Sequence, residues 1–255
     1  MFSEDKFKAD IEAIRAKSPL VHNITNFVVM NNTANALLAI GASPVMAHAV
    51  EEVADMVSIS GALVVNMGTL SPYWVEGMNQ AMKTARSKGI PIIYDPVGAG
   101  ATPYRDEINA RLIGDVSPTI IRGNGSEIMA LVRSGAGAKG VDSTVGSADA
   151  VECARQLSRQ TGSVVVISGQ TDYIVDRDKV YTNDYGTPIM SRVTGMGCTA
   201  TAICGAFAAV NKDAAAAGLN AMTLMGRCGE IALGKSDGPG SFQVAFIDAL
   251  YNFRA

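Results

Sequence analysis

Four short apolar runs, each closing on a polar residue, recur through the middle of the chain: Leu63-Val64-Val65-Asn66, Pro91-Ile92-Ile93-Tyr94-Asp95, Thr119-Ile120-Ile121-Arg122 and Val164-Val165-Val166-Ile167-Ser168. Unbroken runs of this kind suit strands buried on both faces of a parallel sheet. Between them, 72–88, 104–113, 125–133 and 147–160 carry helix-period spacing. The alternation predicts an α/β fold with a predominantly parallel central sheet flanked by helices on both faces. Ligands bind beyond the carboxyl ends of such strands, which puts Asn66, Asp95, Arg122 and Ser168 at a common edge. Each alone is also an ordinary turn former.

After Ser168 the pattern changes. Asp172–Asp176 and Lys179–Thr182, separated by Arg177-Asp178, predict a hairpin. Helices are expected at about 197–211, 213–234 and 240–252. The most apolar stretches, 35–50 and 195–233, are broken by Gly41 and Pro44 and by Lys212, Asp213 and Arg227. Neither gives the span of about 20 residues that a bilayer needs, so both are expected as buried core helices.

Composition narrows the chemistry. With 255 residues, 48% of them hydrophobic, and no linker-like tract, one domain spanning 1–255 is expected. The net charge of −3 offers no basic stripe for nucleic acid, so small-molecule partners are favoured. Four cysteines without C-x-x-C spacing and only two histidines suit neither a disulfide scaffold nor a zinc site. A charged start, Met1-Phe2-Ser3-Glu4-Asp5-Lys6, is unlike a signal peptide and points to the cytoplasm.

The segment Val193-Thr194-Gly195-Met196-Gly197-Cys198 reads as an anion cradle: two glycines let backbone N–H groups turn toward one point, and a helix N-terminus follows. By itself it fits an ordinary glycine-rich helix start equally well. Two other glycine motifs mislead. Gly229–Ser236 matches the Walker A pattern, but a helix precedes it and Asp237-Gly238-Pro239-Gly240 follows, so it is read as a helix C-terminus with Gly234 at its cap. Gly135–Gly140 satisfies the dinucleotide pattern without the required strand upstream; it is read as a loop whose Lys139 is a candidate phosphate contact. Asn23-Ile24-Thr25 fits a glycosylation acceptor and carries no weight in a chain without an export signal.

A wider signature runs through the chain in order: Pro19–Asn26, Gly41–Met46, Asn66–Leu70, Asp95–Gly100, Ile121–Ile128, Lys139–Ser143 and Val193–Cys198. It resembles the hydroxyethylthiazole kinases of thiamine salvage. Asn124-x-x-Glu127 looks like the metal and phosphate motif of the ribokinase-like superfamily, and Gly195-Met196-Gly197-Cys198 like its anion hole. Cysteine rather than aspartate at 198 is typical of the thiazole kinase branch. Gly125 and Met196 depart from the alanine and threonine usual in the family, at positions expected to act through backbone.

The resemblance implies a ribokinase-like fold without a separate lid, and transfer of the ATP γ-phosphate to the alcohol of 4-methyl-5-(2-hydroxyethyl)thiazole. The alternative is another small alcohol such as hydroxymethylpyrimidine. It also implies Asp95 and Glu127 as the holders of Mg²⁺, partly through water; helix capping or a turn is their plainer reading. Arg122, Asn124 and Ser168 would bind ATP, although an arginine in an exposed ion pair or a serine in a turn is the bland alternative. Gly195, Gly197 and Cys198 would form the catalytic loop. Cys198 would be either a weak base, its pKa lowered by the helix N-terminus, or a group that orients the alcohol. Asn26, Met46, Gly68 and Gly195 would bind the thiazole, with Met46 equally suited to core packing. The implied assembly is a homotrimer with sites between subunits. His22 and His48 are expected as satisfied structural residues, with a place beside the substrate as the alternative.

Overall fold

The computed structural model describes residues 2–134 and 147–254, and of 147–149 the backbone alone. Gly135–Gly140, Lys139 and the Lys139–Ser143 part of the signature lie outside the described residues. The apolar runs become neighbouring strands. β1 (Leu20–Ile24), β2 (Ser43–Val45), β3 (Ala62–Asn66), β4 (Ile92–Asp95), β5 (Ile120–Asn124), β6 (Val164–Ser168), β7 (Asp172–Asp176) and β8 (Lys179–Asn183) form one sheet. Its order is β2-β1-β3-β4-β5-β6-β7-β8. Neighbours from β2 through β6 are parallel, and β7 and β8 continue antiparallel as the expected hairpin.

Two hydrophobic layers explain the unbroken runs. Leu63 and Val65 pack on one face of the sheet with Tyr94, Ile121 and Val165, while Val64 packs on the other with Ile93, Ile120 and Val164. The first face is covered by α3 (Val53–Ser58), α4 (Pro72–Lys88), α5 (Pro103–Asp115), α6 (Gly125–Ser134) and α7 (Ser147–Thr161). The second is covered by α1 (Glu4–Lys17), α2 (Met30–Ile40), α8 (Met196–Val210), α9 (Ala214–Leu233) and α10 (Pro239–Asn252). Each aliphatic side chain buried this way contributes about 1.5–3 kcal/mol, so both faces must be apolar and the period-two signal disappears.

The helices from 72 onward match the sequence pattern within a few residues. The stretch 35–50 does not. α2 stops at Ile40 because Gly41 takes a left-handed φ of 95° and its N–H caps Leu37 and Leu38. Ser43–Val45 then forms an edge strand on β1 in place of the expected helix. The Walker-like segment falls where the sequence placed it, with Gly229 inside α9 and Gly234 as the cap. Among the described residues no helix is long and apolar enough to cross a membrane.

Candidate active site

Register aligns the strand ends. Asn66 pairs with Asp95 across β3 and β4, and Asn124 pairs with Ser168 across β5 and β6. Arg122 is a correction: it lies inside β5, two residues before the end, and Asn124 closes the strand. Beyond this edge opens a cleft of about 850 Å³ whose lining includes Asp95, Arg122, Asn124, Glu127 and Ser168. Gly195, Gly197 and Cys198 of the glycine loop line it too.

α8 starts at Met196 behind Gly195, whose φ of 83° is the left-handed value that glycine accepts readily. A Cβ there would stand 2.9 Å from Val29 Cγ1. No side chain caps this helix among the described residues, so its first N–H groups remain available to an anion in the cleft. Across from them lies Arg122, 7% exposed, with no ion pair among the described residues and with its Nε unpartnered. A Cβ on Gly197 would lie 2.8 Å from Arg122 Nη1, so glycine there lets the guanidinium reach the loop. A buried cation facing uncapped amides is arranged for a multiply charged anion.

Asp95 sits at the base of the cleft, 1% exposed. Burial raises its pKa to about 6, against the opposing pull of Arg122 and the hydrogen bond from Thr201; Glu127 adds a smaller upward push. Glu127 is committed to backbone: Oε1 accepts from Gly98 N–H and Oε2 from Asn124 N–H, each at 2.9 Å. The Asn124 side chain accepts from Glu127 N–H at 2.9 Å, which completes a capping box at the start of α6. The plain capping reading of Glu127 is therefore realised, with lone pairs left on both carboxylate oxygens. No group of three or more metal-ligating side chains exists among the described residues. A pair of carboxylates beside an anion site suits a hard cation that keeps most of its water, and does not suit zinc.

Cys198 corrects an expectation. Its thiol pKa is raised, not lowered: burial and the neighbouring Asp95 carboxylate push it up to about 11, against weaker opposing contacts from Asn66, Asn26 and Arg122. Asn26 Nδ2 lies 3.6 Å from its sulfur and donates to Asn66 Oδ1 at 2.9 Å. Gly68 packs directly on Asn26, where a Cβ would come within 2.5 Å. Ser168 Oγ reaches Gly123 O at 3.5 Å, a long contact that leaves the hydroxyl free to turn into the cleft. Met46 is partly buried, and of the four residues expected to hold the thiazole only Gly195 is in the cleft lining; Asn26, Met46 and Gly68 are not. His22 is fully buried, with Nε2 2.7 Å from Ala47 O and Nδ1 unpartnered among the described residues, while the His48 ring lies tilted by 31° against Trp74 with centroids 4.3 Å apart.

Two further residues shape the site without having been singled out. Asp172 lines the cleft and accepts from Gly169 N–H at 3.1 Å, which fixes the turn after Ser168; burial raises its pKa. Arg105 donates to the carbonyls of Met67, Val97 and Gly68, tying together the loops after β3 and β4. Its signal was a cation in the first turn of a helix, where the dipole disfavours one unless acceptors surround it.

The sequence model of the hydroxyethylthiazole kinase family matches residues 11–255. A hydroxyethylthiazole kinase of Leptospira biflexa is 56% identical over 246 residues, covering 96% of this chain and 92% of that protein. The solved structure of a hydroxyethylthiazole kinase protein from Pyrococcus horikoshii superposes with a TM-score of 0.91 at 38% identity, covering 98% of this chain and 94% of that one. A ribokinase-like superfamily protein from Enterococcus faecalis, 14% identical, superposes with a TM-score of 0.64 over 98% of this chain and 90% of its own, a likeness of fold alone. The ordered motifs, the ribokinase-like sheet and the length of the match agree, and the chain belongs to the hydroxyethylthiazole kinase family.

Proposed function

We propose that this protein transfers the γ-phosphate of ATP to the primary alcohol of 4-methyl-5-(2-hydroxyethyl)thiazole, giving the thiazole phosphate and ADP, as a single-domain cytoplasmic enzyme of thiamine salvage. The observation that carries this reading is the buried Arg122, without an ion pair among the described residues, facing the uncapped N-terminus of α8 across a cleft floored by Asp95. Phosphoryl transfer needs little covalent help and much fixed charge, and this arrangement supplies it.

Arg122, Asn124 and Ser168 bind the nucleotide, with the Arg122 fork on phosphate oxygens. The N–H groups from Gly195 to Cys198 receive the charge that develops on the moving phosphoryl, without reorganising. Asp95 would hold Mg²⁺, with Glu127 assisting from its capping position. When bound, Mg²⁺ offsets charge on the phosphate oxygens. Asn26, Gly68 and Gly195 hold the thiazole beside Cys198, whose neutral thiol orients the alcohol while its proton passes to a phosphoryl oxygen or to solvent. Asn26, Met46 and Gly68 all stand outside the cleft lining; Asn26 reaches Cys198 within its own chain, and in the homotrimer we propose Met46 completes a neighbour's thiazole pocket.

Coupled measurement of ADP release with and without the thiazole alcohol tests the reading. Thiazole-dependent release is expected. Release that follows hydroxymethylpyrimidine instead would move the substrate assignment to another alcohol.

A further inference from the structure

Both side-chain hydrogen bonds accepted by Asp95 end on the same oxygen. Oδ2 receives Asn66 Nδ2 at 2.9 Å and Thr201 Oγ1 at 2.7 Å. No donor reaches Oδ1 among the described residues, although Asp95 lines the cleft. The terminal torsion of an aspartate is broad and close to two-fold, so the backbone of β4 does not decide which oxygen faces the ligand. Two donors on one oxygen decide it.

The donors come from opposite sides. Asn66 ends β3 and is the register partner of Asp95, so the sheet itself fixes their separation. Its amide has one possible orientation: Oδ1 accepts from Asn26 Nδ2 at 2.9 Å and from Gly68 N–H at 3.0 Å, which leaves the NH₂ group for the carboxylate. Thr201 comes from α8, one turn beyond Gly197. A threonine inside a helix commonly bonds back to the carbonyl four residues earlier. Here Gly197 O is 3.2 Å away and the carboxylate is closer, so the charge-assisted bond takes the hydroxyl proton. Asn66 is 1% exposed and Thr201 fully buried, so water replaces neither.

We propose that Asn66 and Thr201 are positioning residues that fix the Asp95 carboxylate with Oδ1 toward the cleft, and that Thr201 sets its distance from the 195–198 cradle on the same helix. The inference rests on the proposed role of Asp95 toward Mg²⁺. It adds that the carboxylate is effective only while its other oxygen is held from two sides.

Thr201→Val keeps the shape and removes the donor, and Thr201→Ser keeps the donor. Calorimetric binding of a non-hydrolysable ATP analogue, once in Mg²⁺ and once in EDTA, gives a ratio of dissociation constants that reads the contribution of the cation without turnover. Thr201→Val is expected to reduce that ratio by about tenfold and kcat by a similar factor, with the KM for the thiazole within about twofold of wild type. Thr201→Ser restores both, and Asn66→Ala reproduces the loss from the other side should the valine variant fold poorly. A wild-type ratio in Thr201→Val, or a wild-type ratio in Asn66→Ala where the valine variant does not fold, overturns the proposal, as does a loss that serine does not restore. A wild-type protein that shows the Mg²⁺ effect but ignores the thiazole would remove the kinase assignment and leave the clamp standing, whereas no Mg²⁺ effect in the wild type removes the clamp.

Discussion

Asn124 and Glu127 hold each other in place: the side chain of each accepts the backbone N–H of the other at 2.9 Å. The same glutamate also pins Gly98, in the loop that follows Asp95. Glu127→Ala removes both of its accepted bonds and is expected to cost about 1–2 kcal/mol, a fall of about 2–8 °C in Tm. Glu127→Gln keeps one acceptor oxygen and should melt nearer to wild type while kcat drops about tenfold or more for want of the charge. A glutamine variant with wild-type kcat would reduce Glu127 to a cap.

Arg122 is a cation prepared for a ligand at the expense of the empty protein. Arg122→Met is expected to raise the ATP KM by about 10–100-fold, the worth of about one charged hydrogen bond. Lysine should recover only part of this, since a point charge cannot fork. The methionine variant also withdraws the cation that opposes the raised pKa of Asp95, so without nucleotide that carboxylate should titrate higher still. An ATP KM within about threefold of wild type would refute a phosphate contact.

Asp95 makes the same exchange with a pH signature. Its folded pKa of about 6 lies above the ordinary 3.8, so the folded state binds the proton more tightly than the unfolded chain. That contribution to stability is complete below pH 3.8 and is lost as the pH rises through about 6. Asp95→Asn escapes the loss. At about pH 7 in EDTA it should be more stable than wild type by up to roughly 3 kcal/mol, with the advantage vanishing in acid and with turnover largely abolished. Denaturant titrations across this pH range check it, and a pH-independent difference would contradict it.

A thiol raised to about 11 is a poor base at neutral pH. Removing a true general base costs about 10²–10⁴-fold, so Cys198→Ala is expected to lose less than about 100-fold in kcat. Alkylation of Cys198, followed by mass spectrometry, should be slow near neutrality and quicken only in strong alkali. Rapid neutral modification together with a larger kinetic loss would restore the base.

The fold was most legible where burial is two-sided. Val164-Val165-Val166-Ile167 and Leu63-Val64-Val65 announce central strands because each residue meets one hydrophobic layer or the other. β1 was not read as a strand, since His22 and Asn23 are buried polar residues in its middle and break the apolar run. β2 is three residues at a sheet edge and contains Pro44, so neither length nor composition marks it. In the site, the motifs brought Asp95, Arg122, Asn124, Glu127, Ser168 and the 195–198 loop to one cleft. The supports stayed hidden: Thr201 looked like one more small residue in a helix, and Asp172 like the first residue of a hairpin. Thr201 bonds to Asp95, 106 residues away, and the place of Asp172 in the cleft lining becomes visible only through geometry.

From Thr199 to Ala208 every residue of α8 is buried. The loop at its head is anchored to this core: amide protons from Thr199 to Ala208, unlike the free ones of the first turn, should exchange only when the entire molecule opens. Turnover and the folded population should then disappear along a single curve, with no partly unfolded form that keeps its shape and loses its chemistry.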